Sequence, residues 1–271
     1  WGEDVELDDM RLDIPKSVMV KQVGEHILRG DRRYQYHAID SVVSNKVGDM
    51  EFPMGVLKAA TNAGKTTMAA GIWLAYRKVP KAIVLINDGD LYEQFKEEIP
   101  KLVGKEHFGY VRGKEAVWND FTVCMVQTLS QNLKRYQHKL AEYEIVIVDE
   151  ADLGDNKTYK SVLERLYNAW CRVGMSGSIY ESNLKKDAMK NNNLKKFFSN
   201  PVFTITKQEM IEKGLSADLD IRVYSGYRGK YKGADYDDEY ERSIIRSGSR
   251  EGRILKRVKT NIKRERLPLL V

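Results

Sequence analysis

Ala59-Ala60-Thr61-Asn62-Ala63-Gly64-Lys65-Thr66-Thr67 is the stretch on which the fold turns. Gly55 to Ala59 reads as a buried strand, and Lys65 to about Tyr76 reads as a helix. A short loop between strand and helix is suited to wrapping phosphates. The backbone N–H groups from Asn62 to Thr67 turn inward, and the helix N-terminus adds positive potential. Lys65 is then placed to reach the β- and γ-phosphates of ATP, and the Thr66 hydroxyl to hold Mg²⁺. The strict pattern opens with Gly where this chain has Ala59, and Gly-Lys-Thr also arises by chance, so the loop needs a second signal.

Tyr143 to Val148 supplies it. This run reads as a strand buried on both faces, and it ends directly in Asp149-Glu150-Ala151-Asp152. Ligands of open parallel sheets sit beyond the C-terminal ends of the strands. Asp149 is placed there to hold Mg²⁺ through water, and Glu150 to orient and deprotonate an attacking water. Helix capping explains one carboxylate in such a cluster, not three.

Outward from these two motifs the chain alternates. Strands are expected at Ala82 to Ile86, Phe121 to Met125 and Cys171 to Met175. Helices are expected at Leu91 to Ile99, Leu129 to Leu140 and Tyr159 to Leu166. This alternation predicts an α/β fold, a parallel sheet with helices on both faces. A further helix is expected from Arg32 to about Asn45, with Asp31 placed to cap it. Lys207 to Lys213 reads as a short helix closed by Gly214. Residues 1–30 read as an N-terminal helical extension, with a helix from Pro15 to about Leu28, and 31–216 as the main unit. Residues 217–271 read as the start of another: a strand at Asp220 to Tyr224, a Gly- and Tyr-rich loop, then a long helix. That helix opens acidic at Asp235 to Glu241 and turns basic from Arg242 to Arg266. A solvated face and a nucleic-acid contact fit the basic stretch equally.

Composition narrows the classes. No apolar run approaches the ~20 residues of a membrane span. The formal net charge of +6 suits a polyanionic partner as well as it suits a basic soluble protein. Cys124 and Cys171 lack metal or redox spacing and read as small core residues of a reducing cytosol. The histidines offer no metal-ligand pair. Trp73 and Trp170 read as packing residues, and Asn191-Asn192-Asn193 as a solvated loop. The chain starts at Trp1 and ends in the strand-like Leu267 to Val271, which leads us to expect further sequence at both ends.

Together these motifs resemble the first RecA-like lobe of a superfamily 2 helicase, over about residues 30 to 225. Arg32-Arg33-Tyr34-Gln35 is similar to the family's short Gln-containing element, and the resemblance gives Gln35 the adenine edge. Ala82 to Gln94 resembles motif Ia. Val126-Gln127-Thr128-Leu129 resembles the element that touches the nucleic-acid backbone, which assigns DNA contact to Gln127 and Thr128. Ser176-Gly177-Ser178 stands where the family couples hydrolysis to strand movement, and Asp152 joins it in that role. Here Gly177 replaces the usual Ala.

Asp-Glu-Ala-Asp also marks RNA helicases. Those carry Pro-Thr-Arg-Glu-Leu in motif Ia, whereas this chain has Asn87-Asp88-Gly89-Asp90-Leu91. Together with Arg-x-Tyr-Gln, this resembles DNA-directed members, most of all the phage UvsW-type branch-migration group. The resemblance implies an ATP- and Mg²⁺-dependent enzyme that remodels branched or duplex DNA without reading sequence, in recombination and repair. It also implies a cytoplasmic location (the bacterial host's cytoplasm for a phage protein). Residues 217–271 would then begin a second RecA-like lobe, whose ATP-facing arginines would lie beyond Val271. The alternatives are a DEAD-type RNA helicase and a non-catalytic nucleotide-dependent binding module.

Overall fold

The computed structural model describes residues 32–217, apart from 48, 77–79, 155 and 179–192, and three single positions, 252, 256 and 259. The chain divides into two compact units, residues 1–217 and 218–271. The expected elements before Arg32 and after Ala217 lie outside the described residues, except for those single positions, which are helical.

Among the described residues an eight-stranded sheet forms the centre. Its strands are β3 (Met54–Ala59), β4 (Ala82–Ile86), β5 (Phe108–Arg112), β6 (Glu115–Val117), β7 (Phe121–Met125), β8 (Ile145–Asp149), β9 (Cys171–Ser176) and β10 (Pro201–Ile205), in the order β10-β3-β9-β8-β4-β7-β5-β6. Only β5 and β6 pair antiparallel. β1 (Lys46–Val47) and β2 (Met50–Glu51) form a separate small ribbon. Ala-Ile-Val-Leu-Ile of β4 and Ile-Val-Ile-Val of β8 are buried throughout, because parallel strands covered on both faces have no solvent side. The two sides carry separate cores. One gathers Ile39, Leu57, Met68, Trp73, Tyr92 and Phe121. The other gathers Ile83, Leu85, Val146, Val148, Tyr159 and Phe198. This is the expected RecA-like α/β architecture, and no described helix is long and apolar enough to cross a membrane.

The elements match the expected alternation with four informative differences. α3 (Gly89–Val103) runs past Pro100, because its buried stripe of Tyr92, Phe95, Ile99 and Val103 continues into the last turn. The expected single helix at 129–140 is two, α4 (Val126–Gln131) and α5 (Leu133–Leu140). Asn132 separates them, and its side-chain amide donates to the Thr128 carbonyl at 2.8 Å, a local bond that competes with the helical ladder. The hairpin β5–β6 was not anticipated. Its two-residue tip is Gly113-Lys114, with Gly113 at φ 59°. Of Asn191-Asn192-Asn193, expected as a solvated loop, the first two lie outside the described residues and Asn193 opens a helical stretch over 193–198.

α1 (Arg33–Val43) starts without a side-chain cap at Arg32 and lies against α2 (Lys65–Leu74). The approach is close because Gly71 has no side chain: a Cβ there would meet Ile39 Cδ1 at 2.2 Å. That packing sets Tyr34 and Gln35 beside the loop that precedes α2. α6 (Lys157–Leu163) and α7 (Lys207–Glu212) are capped by Asn156 and by a Thr206–Glu209 capping box.

Candidate nucleotide site

The loop of residues 60–64 leaves β3 at the C-terminal edge of the sheet. Asn62 and Gly64 both take left-handed conformations, at φ 67° and 80°. A Cβ at Gly64 would lie 2.1 Å from Gln35 Nε2, so only glycine fits the backbone and the space. Ala63 is buried and Asn62 is exposed. The Ala63 carbonyl accepts from the Gln35 amide at 2.8 Å and from the Tyr34 hydroxyl at 3.0 Å. Gln35 is 2% exposed. The Arg32 guanidinium also borders Gly64. At the loop's mouth the Ala60 N–H donates to the Ile205 carbonyl at 3.1 Å.

Lys65, Thr66 and Thr67 open α2. Thr66 is buried, and Lys65 reaches across to the end of β8. Its Nζ lies 3.1 Å from Asp149 Oδ1 and donates to Glu150 Oε1 at 3.0 Å. Burial pulls the Lys65 pKa down, but the carboxylates of Asp149 and Glu150 outweigh it and leave the pKa raised. Asp149 is 1% exposed, and burial raises its pKa although Lys65 opposes the shift. Neither Asp149 oxygen makes a well-aligned hydrogen bond, and Lys65 and the Glu150 N–H compensate its charge only in part. A buried carboxylate of this kind is the hard-oxygen donor that Mg²⁺ takes. Glu150 sits one residue on, at φ 50°, with its side chain 45% exposed. Strained backbone of this sort costs on the order of 1–3 kcal/mol and clusters at sites of chemistry.

Asp152 and Ser176 meet behind the carboxylates. The Ser176 hydroxyl donates to Asp152 Oδ1 at 3.0 Å and accepts from the Ser178 N–H at 3.2 Å. The register of β8 and β9, with Asp149 opposite Met175, brings them together. Gly177 lies against the start of the phosphate loop: a Cβ there would stand 3.5 Å from the Ala59 carbonyl.

Gln127 and Thr128 lie elsewhere on the same sheet edge. The Gln127 amide donates to the Asn87 backbone carbonyl at 3.1 Å and to the Asn87 side-chain oxygen. This ties the loop after β4 to the first turn of α4, which follows the neighbouring strand β7 directly. The Thr128 hydroxyl is buried and accepts from the Gly113 N–H at 2.9 Å, which pins the β5–β6 tip. Two other neighbours of the motifs were not singled out from sequence. Tyr34 stands beside Gln35, and its adjacency was a usable signal. Tyr159 is fully buried, and its hydroxyl lacks a partner; burial first, then the charges of Asp149, Glu150 and Asp152, push its pKa up. No pattern in the sequence marks Tyr159 apart from other core tyrosines.

Residues 30–181 match the family described as type III restriction enzyme, res subunit. No curated protein matches the chain. Among solved structures, the UvsW helicase of bacteriophage T4 is similar at 18% identity and a TM-score of 0.50, over 62% of this chain and 58% of that one. A hypothetical ATP-dependent RNA helicase of Sulfolobus tokodaii is similar at 20% identity and a TM-score of 0.51, over 66% of this chain and 54% of that one. At these identities the two structures speak to the fold, and this chain spans somewhat more than half of each. The family match, the sheet order and the pairing of phosphate loop with Asp149-Glu150-Ala151-Asp152 lead to one assignment: the chain belongs to the family of the type III restriction enzyme res subunit, with a RecA-like lobe of the superfamily 2 helicase kind.

Proposed function

We propose that this lobe binds and hydrolyses ATP with Mg²⁺ to drive a DNA helicase or translocase that remodels branched DNA. The observation that carries the reading is the convergence of Lys65, Asp149 and Glu150 at the mouth of the phosphate loop, with Asp149 buried and under-bonded. The N–H groups from Asn62 to Thr67 cradle the phosphates. Lys65 exchanges its carboxylate partners for the γ-phosphate as negative charge moves onto it. Thr66, and Asp149 through water, would hold Mg²⁺, which would supply charge neutralisation to the phosphates. Glu150, the exposed carboxylate of the pair, orients the attacking water and takes its proton. Gln35 reads the adenine edge. The Asp152–Ser176 bond links that centre to Gly177 and Ser178, which pass the change to the strand-contacting edge.

On that edge the DNA contacts are assigned to Gln127, Thr128 and nearby backbone amides. Thr128 acts through its backbone and its hold on Gly113, since its side chain is buried where it accepts from that N–H. Such contacts address phosphate and sugar and do not read bases. Binding is then sequence-independent and falls steeply with salt as counterions are released. Residues 218–271 are assigned as the start of a second lobe.

The test is ATPase activity of the complete protein, stimulated in parallel by a four-way junction, single-stranded DNA and duplex RNA. Wild type should respond most to the junction. Lys65→Ala should lose hydrolysis while staying folded, and Glu150→Gln should bind ATP without turning it over. Near-normal turnover by either variant sinks the catalytic assignment. Equal or better stimulation by RNA rejects DNA as the substrate and favours the RNA-remodelling alternative.

A further inference from the structure

One carbonyl in the phosphate loop is held twice. Ala63 O accepts from Tyr34 at 3.0 Å and from Gln35 at 2.8 Å, which fills both of its lone pairs. Both donors come from consecutive residues of α1, and both side chains are buried. Peptide planarity gives this a consequence at the next atom. In a trans peptide the carbonyl of Ala63 and the N–H of Gly64 point in opposite directions. Fixing the carbonyl toward α1 therefore aims the Gly64 N–H away from α1. Gly64 has no side chain to hold it there, and its left-handed backbone is one that glycine leaves easily. The two donors on Ala63 supply the restraint that glycine lacks.

The two donors are chemically unequal. Gln35 has a second N–H and a carbonyl oxygen besides the bond to Ala63, the donor and acceptor set that suits a purine edge. Tyr34 has one hydroxyl proton, and it is spent on Ala63. Resting on the ATP-binding reading above, we propose that Tyr34 is a positioning residue: its hydroxyl orients the Gly64 N–H toward the phosphates whatever base the nucleotide carries, while Gln35 adds the dependence on adenine. Phosphate affinity and base selectivity are thus divided between neighbouring residues that share one acceptor.

The test uses the 271-residue chain and three probes with Mg²⁺: ATP, GTP and inorganic tripolyphosphate. Affinities are measured by calorimetric titration at a temperature where melting curves show every variant folded. Tyr34→Phe should weaken all three probes by the same factor, roughly fivefold for one lost hydrogen bond, and leave the ATP:GTP ratio unchanged. Gln35→Ala should weaken ATP more than GTP and flatten that ratio. Placing 4-aminophenylalanine at position 34 restores a donor on the same ring and should recover tripolyphosphate affinity, which a purely space-filling role for the ring does not predict. It also supplies the comparison should Tyr34→Phe prove unstable. Unchanged tripolyphosphate binding by Tyr34→Phe overturns the proposal while ATP binding stands. So does a loss for ATP alone, which puts Tyr34 on the base. A wild-type chain that binds none of the probes rejects the phosphate-loop reading itself, and this inference with it.

Discussion

Thr128 illustrates what a single residue can hide. As part of Val-Gln-Thr-Leu it reads as a strand-contacting hydroxyl, but that hydroxyl is buried against the Gly113 N–H. Replacing Thr128 by Val keeps the shape and removes the acceptor. We expect a loss of about 1 kcal/mol in unfolding free energy, the usual cost of one internal hydrogen bond. Urea denaturation of Thr128→Val against wild type measures it. A variant as stable as wild type would show that the hydroxyl does not hold the hairpin. The phosphate loop was more legible at this scale. Gly64, Lys65 and Thr66 are recognisable because the chemistry demands those residue types at that spacing. The pairing of Tyr34 with Ala63 was not, since nothing in a tyrosine's identity says which carbonyl it will find.

Among elements, strands were easier to read than helix ends. β4 falls where its apolar run predicted, because a fully buried strand has no polar position to blur its limits, and β7 does so with Thr122 buried inside it. Helix boundaries depend on side chains that compete for backbone groups. Asn132 splits one expected helix in two, and Asp88 starts α3 two residues before the first apolar position, Leu91. The hairpin β5–β6 escaped because it is short, and its alternation is weak beside the continuous strands. Asp88 also gives a prediction. Its carboxylate accepts from the N–H groups of Asp90 and Leu91, both at 2.9 Å. Asp88→Ala should cost about 1 kcal/mol of stability, the typical value for a lost N-cap, and Asp88→Asn much less. Thermal melts of the two variants decide it. Equal melting temperatures for Ala and Asn would mean the cap contributes nothing.

The whole chain divides between Ala217 and Asp218. Both buried clusters of the first unit are built from residues between Tyr34 and Met210. Residues 32–217 therefore carry their own core and should fold without the rest. We expect a 32–217 fragment to unfold in one cooperative transition and to keep the full chain's affinity for ATP. Aggregated or non-cooperative material, or a fragment that binds no ATP when the full chain does, would show that the division misplaces part of the site. The proposal that 218–271 opens a second lobe predicts a further outcome: the fragment should lack the DNA-stimulated turnover of the complete protein while retaining nucleotide.

The bond from Ala60 N–H to Ile205 O joins the mouth of the phosphate loop to the last strand before the chain leaves this unit. β10 borders β3 on one side only, and beyond it come α7 and residue 217. Tension drawn along the chain from that direction runs through α7 into an edge strand, the part of a sheet most easily sheared. From Ile205 it passes through the pairing with β3 and the Ala60 contact to the loop that follows β3. β10 is thus an attachment through which a load on the chain would reach the loop between β3 and α2.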